Sequence, residues 1–254
     1  GTVIPTLAAN SVIDFAGNPG PSASYSAQVI SLDRYAPSVT RFGSSLGNHT
    51  NLSSFDFQLV FSEVVTGLEQ TDFDVQGQNC SFTLAGSGSS YTVSISGCEM
   101  NQEVSVTLSP GAVIDQSGSA GPASPATRQM ITDNVSPVAS WGVTPITPTG
   151  LQPIHFQLNF SEVVATFDAT ALANLGTAQH CEMSITNISG LTIFDVSVRG
   201  CSDGTVIPSL LPSSVSDLAG NAIANLPVTS ATVTLNSTVL HAKFISSPPD
   251  RARG

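Results

Sequence analysis

The chain has 254 residues, enough for two domains of ordinary size. Charged residues make up 10% and hydrophobic residues 41%, so Ser, Thr, Asn, Gln and Gly must cover most of the surface, as in β-rich extracellular proteins. The net charge of -11 excludes a surface for nucleic acid or anionic membranes and favours divalent cations, and no stretch approaches the roughly 20 apolar residues that cross a bilayer.

The chain repeats itself with a period of about one hundred residues. One motif, which ends in an acidic turn, reads GTVIPTLAANSVIDFAGN at 1–18, QEVSVTLSPGAVIDQSGS at 102–119 and GTVIPSLLPSSVSDLAGN at 204–221. A second motif, FSEVV, occurs at 61–65 and 160–164. Because solenoid repeats are only ~20–50 residues long, this period indicates a string of small domains.

These markers divide the chain into four parts. Residues 1–35 match only the C-terminal part of a repeat, and residues 36–134 and 135–237 are each predicted to be complete. Residues 238–254 are predicted to be a linker or the first strand of a following repeat, since VLHAKFISS at 239–247 is similar to VTRFGSS at 39–45. We therefore expect a piece of a longer tandem array, whose partners are its neighbouring repeats and other copies in a fibre.

Hydrophobic side chains alternate with polar ones along each complete repeat, as in FDFQLV at 55–60 and IHFQLN at 154–159. In the first complete repeat, strands are predicted near 39–44, 55–62, 72–77, 80–85, 90–97, 103–108 and 126–132. Seven short antiparallel strands in a hundred residues predict an all-β, immunoglobulin-like sandwich. Pro5 and Pro208 stand where the middle repeat has Val106, so we expect a bulge or an early strand end there.

The four cysteines form two pairs that bracket predicted hairpins. Cys80 and Cys98 flank one hairpin, and Cys181 and Cys201 flank the corresponding one in the next repeat. Folding each hairpin brings its cysteines opposite each other, which predicts one disulfide within each repeat and an oxidising compartment. A cysteine-based metal site is the alternative, but the sequence contains no CxxC motif.

Two sets of three acidic residues occupy corresponding places in the repeats. In a sandwich whose strands alternate in direction, the FSEVV glutamate and the aspartate of the turn after the sixth strand lie at the end where the chain enters, and the incoming linker adds a third acid. The sets are Asp33, Glu63 and Asp115 at one junction, and Asp133, Glu162 and Asp217 at the next. Calcium takes six to eight oxygen ligands, so one interpretation is a calcium ion that stiffens each junction.

A second interpretation of these acids needs no metal. The aspartate of each turn can accept hydrogen bonds from its own backbone, with a glycine three residues later supplying positive φ. Glu63 can pair with Arg34, and Asp133 can cap a turn of the linker. At the linker position after the last repeat the acid is replaced by Asn236.

The combination of FSEVV, the DFAGN and DLAGN turns, a Gly-Cys pair ending the hairpin, and a linker that contains both Asp and Pro resembles the bacterial Ig-like repeats (Big type) of extracellular adhesins and surface fibre proteins. The resemblance covers nearly the whole chain. It implies tandem sandwiches that act as extracellular stalk modules, and some relatives in that family are made rigid by calcium.

No residue pattern indicates catalysis. His49, His155, His180 and His241 have no histidine at the matching position of another repeat, and no GxSxG, HExxH or phosphate-binding loop accompanies them. We therefore predict that the chain is not an enzyme and that these histidines lie on the surface. Trp141, the single tryptophan, is predicted to lie in a contact between repeats.

Seven asparagines stand in N-glycosylation sequons, which mark surface positions of secreted eukaryotic proteins. They are Asn48, Asn51, Asn79, Asn134, Asn159, Asn187 and Asn236. Together these patterns favour a structural stalk or filament segment located outside the cell or at its surface. Two alternatives stay open: an adhesin module that binds carbohydrate or a host protein, and accessory repeats of a secreted enzyme.

Overall fold

The computed structural model describes residues 1–224 and 226–238, and throughout them the chain is all-β, as the sequence predicts. Its contacts divide it into two units, Gly1–Asp133 and Asn134–Gly254. The strand expected at 239–247 and His241 lie outside the described residues. Helical structure in the described part is limited to two short 3-10 turns, Gln70–Asp72 and Ala169–Ala171, neither of which is long enough to cross a bilayer.

The first 31 residues form three antiparallel strand pairs, in which β1 pairs with β6, β2 with β5, and β3 with β4. The strands are β1 (Thr2–Val3), β2 (Thr6–Leu7), β3 (Val12–Ile13), β4 (Pro19–Gly20), β5 (Tyr25–Ser26) and β6 (Ile30–Ser31). Pro5 falls between β1 and β2, which is the early strand end expected from its missing N–H.

Residues 39–132 form a two-sheet sandwich. Its strands are β7 (Val39–Gly43), β8 (His49–Thr50), β9 (Phe55–Val65), β10 (Phe73–Gln76), β11 (Ser81–Ser96), β12 (Gln102–Leu108), β13 (Val113–Ile114), β14 (Ala120–Gly121) and β15 (Ala126–Thr132). One sheet has the order β11-β9-β7 and the other β10-β12-β15-β8. The alternating strand β9 turns Phe55, Phe57, Leu59 and Phe61 inward, each at most 5% exposed, against Val106 and Met130 of the opposite sheet.

The second unit repeats this plan. Its strands are β16 (Ala139–Trp141), β17 (Ile154–Phe160), β18 (Leu172–Asn174), β19 (Glu182–Ser189), β20 (Ile193–Arg199), β21 (Gly204–Val206), β22 (Pro208–Leu210), β23 (Val228–Thr229) and β24 (Val233–Leu235). One sheet has the order β16-β17-β20-β19, and β18-β22-β23 with β21-β24 faces it. Strand β21 stops before Pro208, where the middle repeat has the unbroken strand β12, which confirms the predicted interruption.

Both predicted disulfides are present, each within one unit. Cys80 is bonded to Cys98, and Cys181 to Cys201. In the first unit the bond closes β11, whose two ends lie side by side, since the hydroxyl oxygens of Ser81 and Ser96 are 3.0 Å apart. Each disulfide therefore locks the hairpin of its own sandwich.

Candidate functional site

The FSEVV motif joins the core of the first sandwich to its incoming linker. Phe61 and Val65 point into the core, whereas Ser62 faces the linker. The Ser62 backbone N–H donates to the carbonyl of Ser38 at 2.8 Å, and its hydroxyl accepts from the Ser38 N–H at 3.0 Å. Glu63 is the next residue, half-buried at this end of the strand. These two hydrogen bonds between Ser62 and Ser38, which we call the serine clamp, were not predicted, although the same serine stands in both FSEVV motifs.

The same clamp occurs in the second unit. Ser161 donates its backbone N–H to Val138 O at 2.9 Å, and its hydroxyl accepts from the Val138 N–H at 2.9 Å. Phe160 and Val164 are buried on either side. The motif therefore makes the same contact with the incoming chain in each sandwich.

Asp115 lies in the turn that follows β13 and is only 6% exposed. Its Oδ1 accepts hydrogen bonds from the backbone N–H groups of Ser117 at 2.7 Å and Ser119 at 2.8 Å, and from the Ser117 hydroxyl at 2.9 Å. Gly118 completes the turn with φ of +87°. The other oxygen, Oδ2, is buried and has no hydrogen-bond partner, which is a costly state for a carboxylate oxygen.

The unpartnered oxygen results from a sequence difference between the repeats. In DFAGN, the Asn18 side-chain amide donates to Asp14 Oδ2 at 2.9 Å, and in DLAGN that of Asn221 donates to Asp217 Oδ2 at 2.8 Å. In DQSGS the asparagine is replaced by Ser119, whose backbone reaches only Oδ1. The carboxylate of the middle repeat thus has one oxygen without a hydrogen-bond partner.

The three acids of the first predicted set lie close together. One carboxylate oxygen from each of Asp33, Glu63 and Asp115 lies within 4.8 Å of the other two. Asp33 and Glu63 also line an open cleft of about 410 Å³, together with Gln116 and Ser117, the two residues that follow Asp115. Among the described residues no ion pair joins Glu63 to Arg34, so the alternative pairing of these two residues is not observed. The cluster therefore concentrates negative charge.

The pKa values within the cluster reflect this crowding. Desolvation, followed by repulsion from Asp33 and Asp115, raises the pKa of Glu63 above its usual range. Desolvation also pushes the pKa of Asp115 upward, but hydrogen bonds from Ser119, Ser117 and Gly118 outweigh it and leave the pKa lowered. Asp115 thus stays ionised beside a glutamate whose charge is disfavoured. A divalent cation would relieve that repulsion.

The second predicted set is divided between the two units. Carboxylate oxygens of Glu162 and Asp217 lie within 4.8 Å of each other, and Asp217 is buried. Asp133 is the last residue of the first unit. The turn interpretation is confirmed for Asp217, whose Oδ1 accepts from the Asn221 backbone N–H at 2.8 Å.

The remaining candidate residues lie elsewhere. His155 Nδ1 is 2.8 Å from Asp195 Oδ2 on an exposed sheet face. The Trp141 ring packs edge-on against Phe156 in its own sandwich, and its indole N–H donates to Val228 O at 2.9 Å. Its predicted contact between repeats stays a prediction. Of the sequon asparagines, Asn48, Asn51, Asn79, Asn134, Asn187 and Asn236 are exposed, and Asn159 is half-buried.

No model of a known protein family matches the chain, and no curated protein matches it. Among solved structures, an I-band fragment of titin aligns with 10% sequence identity and a TM-score of 0.35, over 80% of this chain and 66% of the fragment. The chain thus spans less than two thirds of that fragment's length. A likeness this weak bears on neither fold nor function, and the sandwich architecture rests on the strands and sheets themselves.

Proposed function

We propose that the chain is a non-catalytic structural segment of a large extracellular or cell-surface protein, in which Ig-like repeats in tandem supply length to a stalk or filament. The supporting observation is that one building block occurs twice, each time with its own buried core and its own disulfide. Disulfides persist in oxidising compartments, which favours an extracellular location. Blocks of this kind can be added in series to extend a protein.

We also propose that Asp33, Glu63 and Asp115 bind calcium. The buried, unpartnered Oδ2 of Asp115 is the observation that favours a cation over a turn role alone. Three carboxylates supply part of the six to eight oxygens that calcium takes, and carbonyl groups and water supply the rest. Bound there, the ion ties linker residue Asp33 to the end of β9 and to the turn after β13. The direction in which the chain enters the sandwich is then fixed.

Calcium titration of the full chain tests this proposal. We expect calorimetry to detect calcium binding, and we expect a higher Tm with calcium than with chelator. Glu63→Gln and Asp115→Asn should weaken both effects. Asp56→Asn, an exposed acid on the same strand as Glu63, is the matched control and should bind as the parent does. Absence of binding at millimolar calcium, or equal loss in the Asp56 variant, would refute the calcium site.

A further inference from the structure

The strand pairs at the start of the chain carry an unusually exposed apolar surface. Val3, Leu7, Val12, Ile30 and Leu32 are each between 45% and 53% exposed. All of them lie in or beside the strands β1 to β6. Exposed apolar residues that cluster in this way mark a surface that binds another polypeptide.

The same residues are buried where the motif recurs 203 positions later. Their counterparts are Val206, Leu210, Val215, Val233 and Leu235, each at most 2% exposed. The backbone pairing is also the same, since Thr2 pairs with Ser31 as Thr205 pairs with Thr234, and Leu7 pairs with Tyr25 as Leu210 pairs with Val228. Residues 2–31 and 205–234 thus have the same strand pairing, but only the second segment has its apolar side chains covered by a facing sheet.

In the second unit the cover is the sheet β16-β17-β20-β19. Its strands β17 and β20 turn Phe156, Leu158 and Phe194 toward Val206, Leu210 and their neighbours within one core cluster. This sheet directly precedes the strands it covers, because β20 ends at Arg199 and β21 begins at Gly204. The loop that joins them is therefore very short.

We propose that residues 1–32 are the acceptor half of a β-sandwich, and that their apolar face binds a four-stranded antiparallel sheet with alternating aromatic and aliphatic side chains. The occupant is a repeat segment like residues 135–203, placed immediately ahead of Gly1 in a longer chain. This choice rests on the proposed tandem-repeat function. A second copy of the chain fits less well, since within the described residues its own sheets of this kind already cover their own cores.

A fusion protein tests the proposal directly. A second copy of residues 135–203 is placed ahead of Gly1 of the full chain, so that Asp203 is followed by GTVIP as it is in the native sequence at 203–208. We expect amide hydrogen exchange in residues 2–31 to slow by about a hundredfold or more once they join a buried core. Binding of a dye that fluoresces on exposed apolar surface should fall.

The matched control carries Phe156→Asp and Leu158→Asp in the added copy only, and it should leave residues 2–31 in fast exchange. Unchanged exchange in the fusion protein, with the added cysteine pair oxidised, would overturn the proposal. Concentration-dependent dimerisation of the parent chain that Leu7→Asp abolishes would assign the face to a second copy and overturn it too. The calcium titration tests Asp33, Glu63 and Asp115 instead, so the calcium proposal and the acceptor-face proposal can each fail without the other.

Deletion of residues 1–32 from the full chain tests the proposal even if the fusion protein is insoluble. We expect the deletion to remove dye binding and leave the unfolding midpoint of the sandwich at 39–132 unchanged, since that sandwich completes its core without them. A lower midpoint would show that the apolar face is already used within its own unit, against the proposal.

Discussion

At the scale of single residues, the repeats differ in what the second oxygen of the turn aspartate binds. Replacing Ser119 by Asn would give Asp115 Oδ2 the amide partner that Asn18 and Asn221 give to Asp14 and Asp217. We expect Ser119→Asn to stabilise the chain in chelator, because a buried acceptor gains a donor. We also expect a loss of calcium affinity of about tenfold, as for changes in groups that hydrogen-bond a metal ligand.

Calorimetry with calcium and urea unfolding in chelator measure these two effects of Ser119→Asn. Ser124→Asn, on an exposed loop of the same unit, is the control and should change neither quantity. Equal calcium affinity in the Ser119 variant and the parent would show that Oδ2 is not the oxygen that binds the ion.

Asp203 gives the second unit a pH-dependent contribution to stability. Its Oδ1 accepts from the Ser237 backbone N–H at 2.9 Å and the Ser237 hydroxyl at 2.8 Å, and these bonds lower its pKa below the ordinary value of 3.8. Since the folded pKa is depressed, the stabilisation is present above pH 3.8 and is lost as pH falls through the folded pKa. Asp203→Asn should therefore lower Tm at pH 7 and leave it nearly unchanged at pH 2. A Tm difference independent of pH would contradict this prediction.

At the scale of strands, the alternation of polar and apolar residues was enough to predict most of the first sandwich. Strand ends were predicted less well, because they depend on pairing with strands that are distant in the sequence. Strand β9 runs on to Val65 because Val65 pairs with Gly88, whereas its counterpart β17 ends at Phe160. The hydrogen bond from the Trp141 indole N–H to Val228 O was not predicted, because a lone aromatic near a strand start does not reveal which neighbour will accept its N–H.

Each disulfide should stabilise only the sandwich that contains it. The bonded cysteines are separated by 18 residues in the first unit and by 20 in the second. Replacing Cys80 and Cys98 by Ala should lower the free energy of unfolding of the first sandwich by about 3 kcal/mol, since a loop of this length is no longer restricted in the unfolded state. Hydrogen exchange resolved by unit measures the effect. The reciprocal control is the Cys181 and Cys201 double variant, and equal losses in both units would contradict the prediction.

At the scale of the whole molecule, the sequence was sufficient to predict which acids would meet, because strand direction alone places the end of β9, the turn after β13 and the incoming linker together. It was not sufficient to predict the state of each oxygen. That depends on whether the turn backbone reaches Oδ1 or Oδ2 of Asp115, a matter of hydrogen-bond geometry that spacing does not encode. The replacement of Asn by Ser119 was visible in the sequence, but its consequence was not.

Because each sandwich has its own buried core, damage to one should leave the other folded. Phe57 and Phe156 occupy the same place in the two cores and are almost fully buried. Phe57→Ala should destabilise the first sandwich by about 3–5 kcal/mol, the usual range for a large-to-small change in a core, and Phe156→Ala should do the same to the second. Phe15, which is fully exposed, provides the control substitution. Hydrogen exchange measured in each unit distinguishes the cases: if Phe57→Ala speeds exchange equally in both units, the sandwiches fold as one cooperative body and the block-by-block account fails.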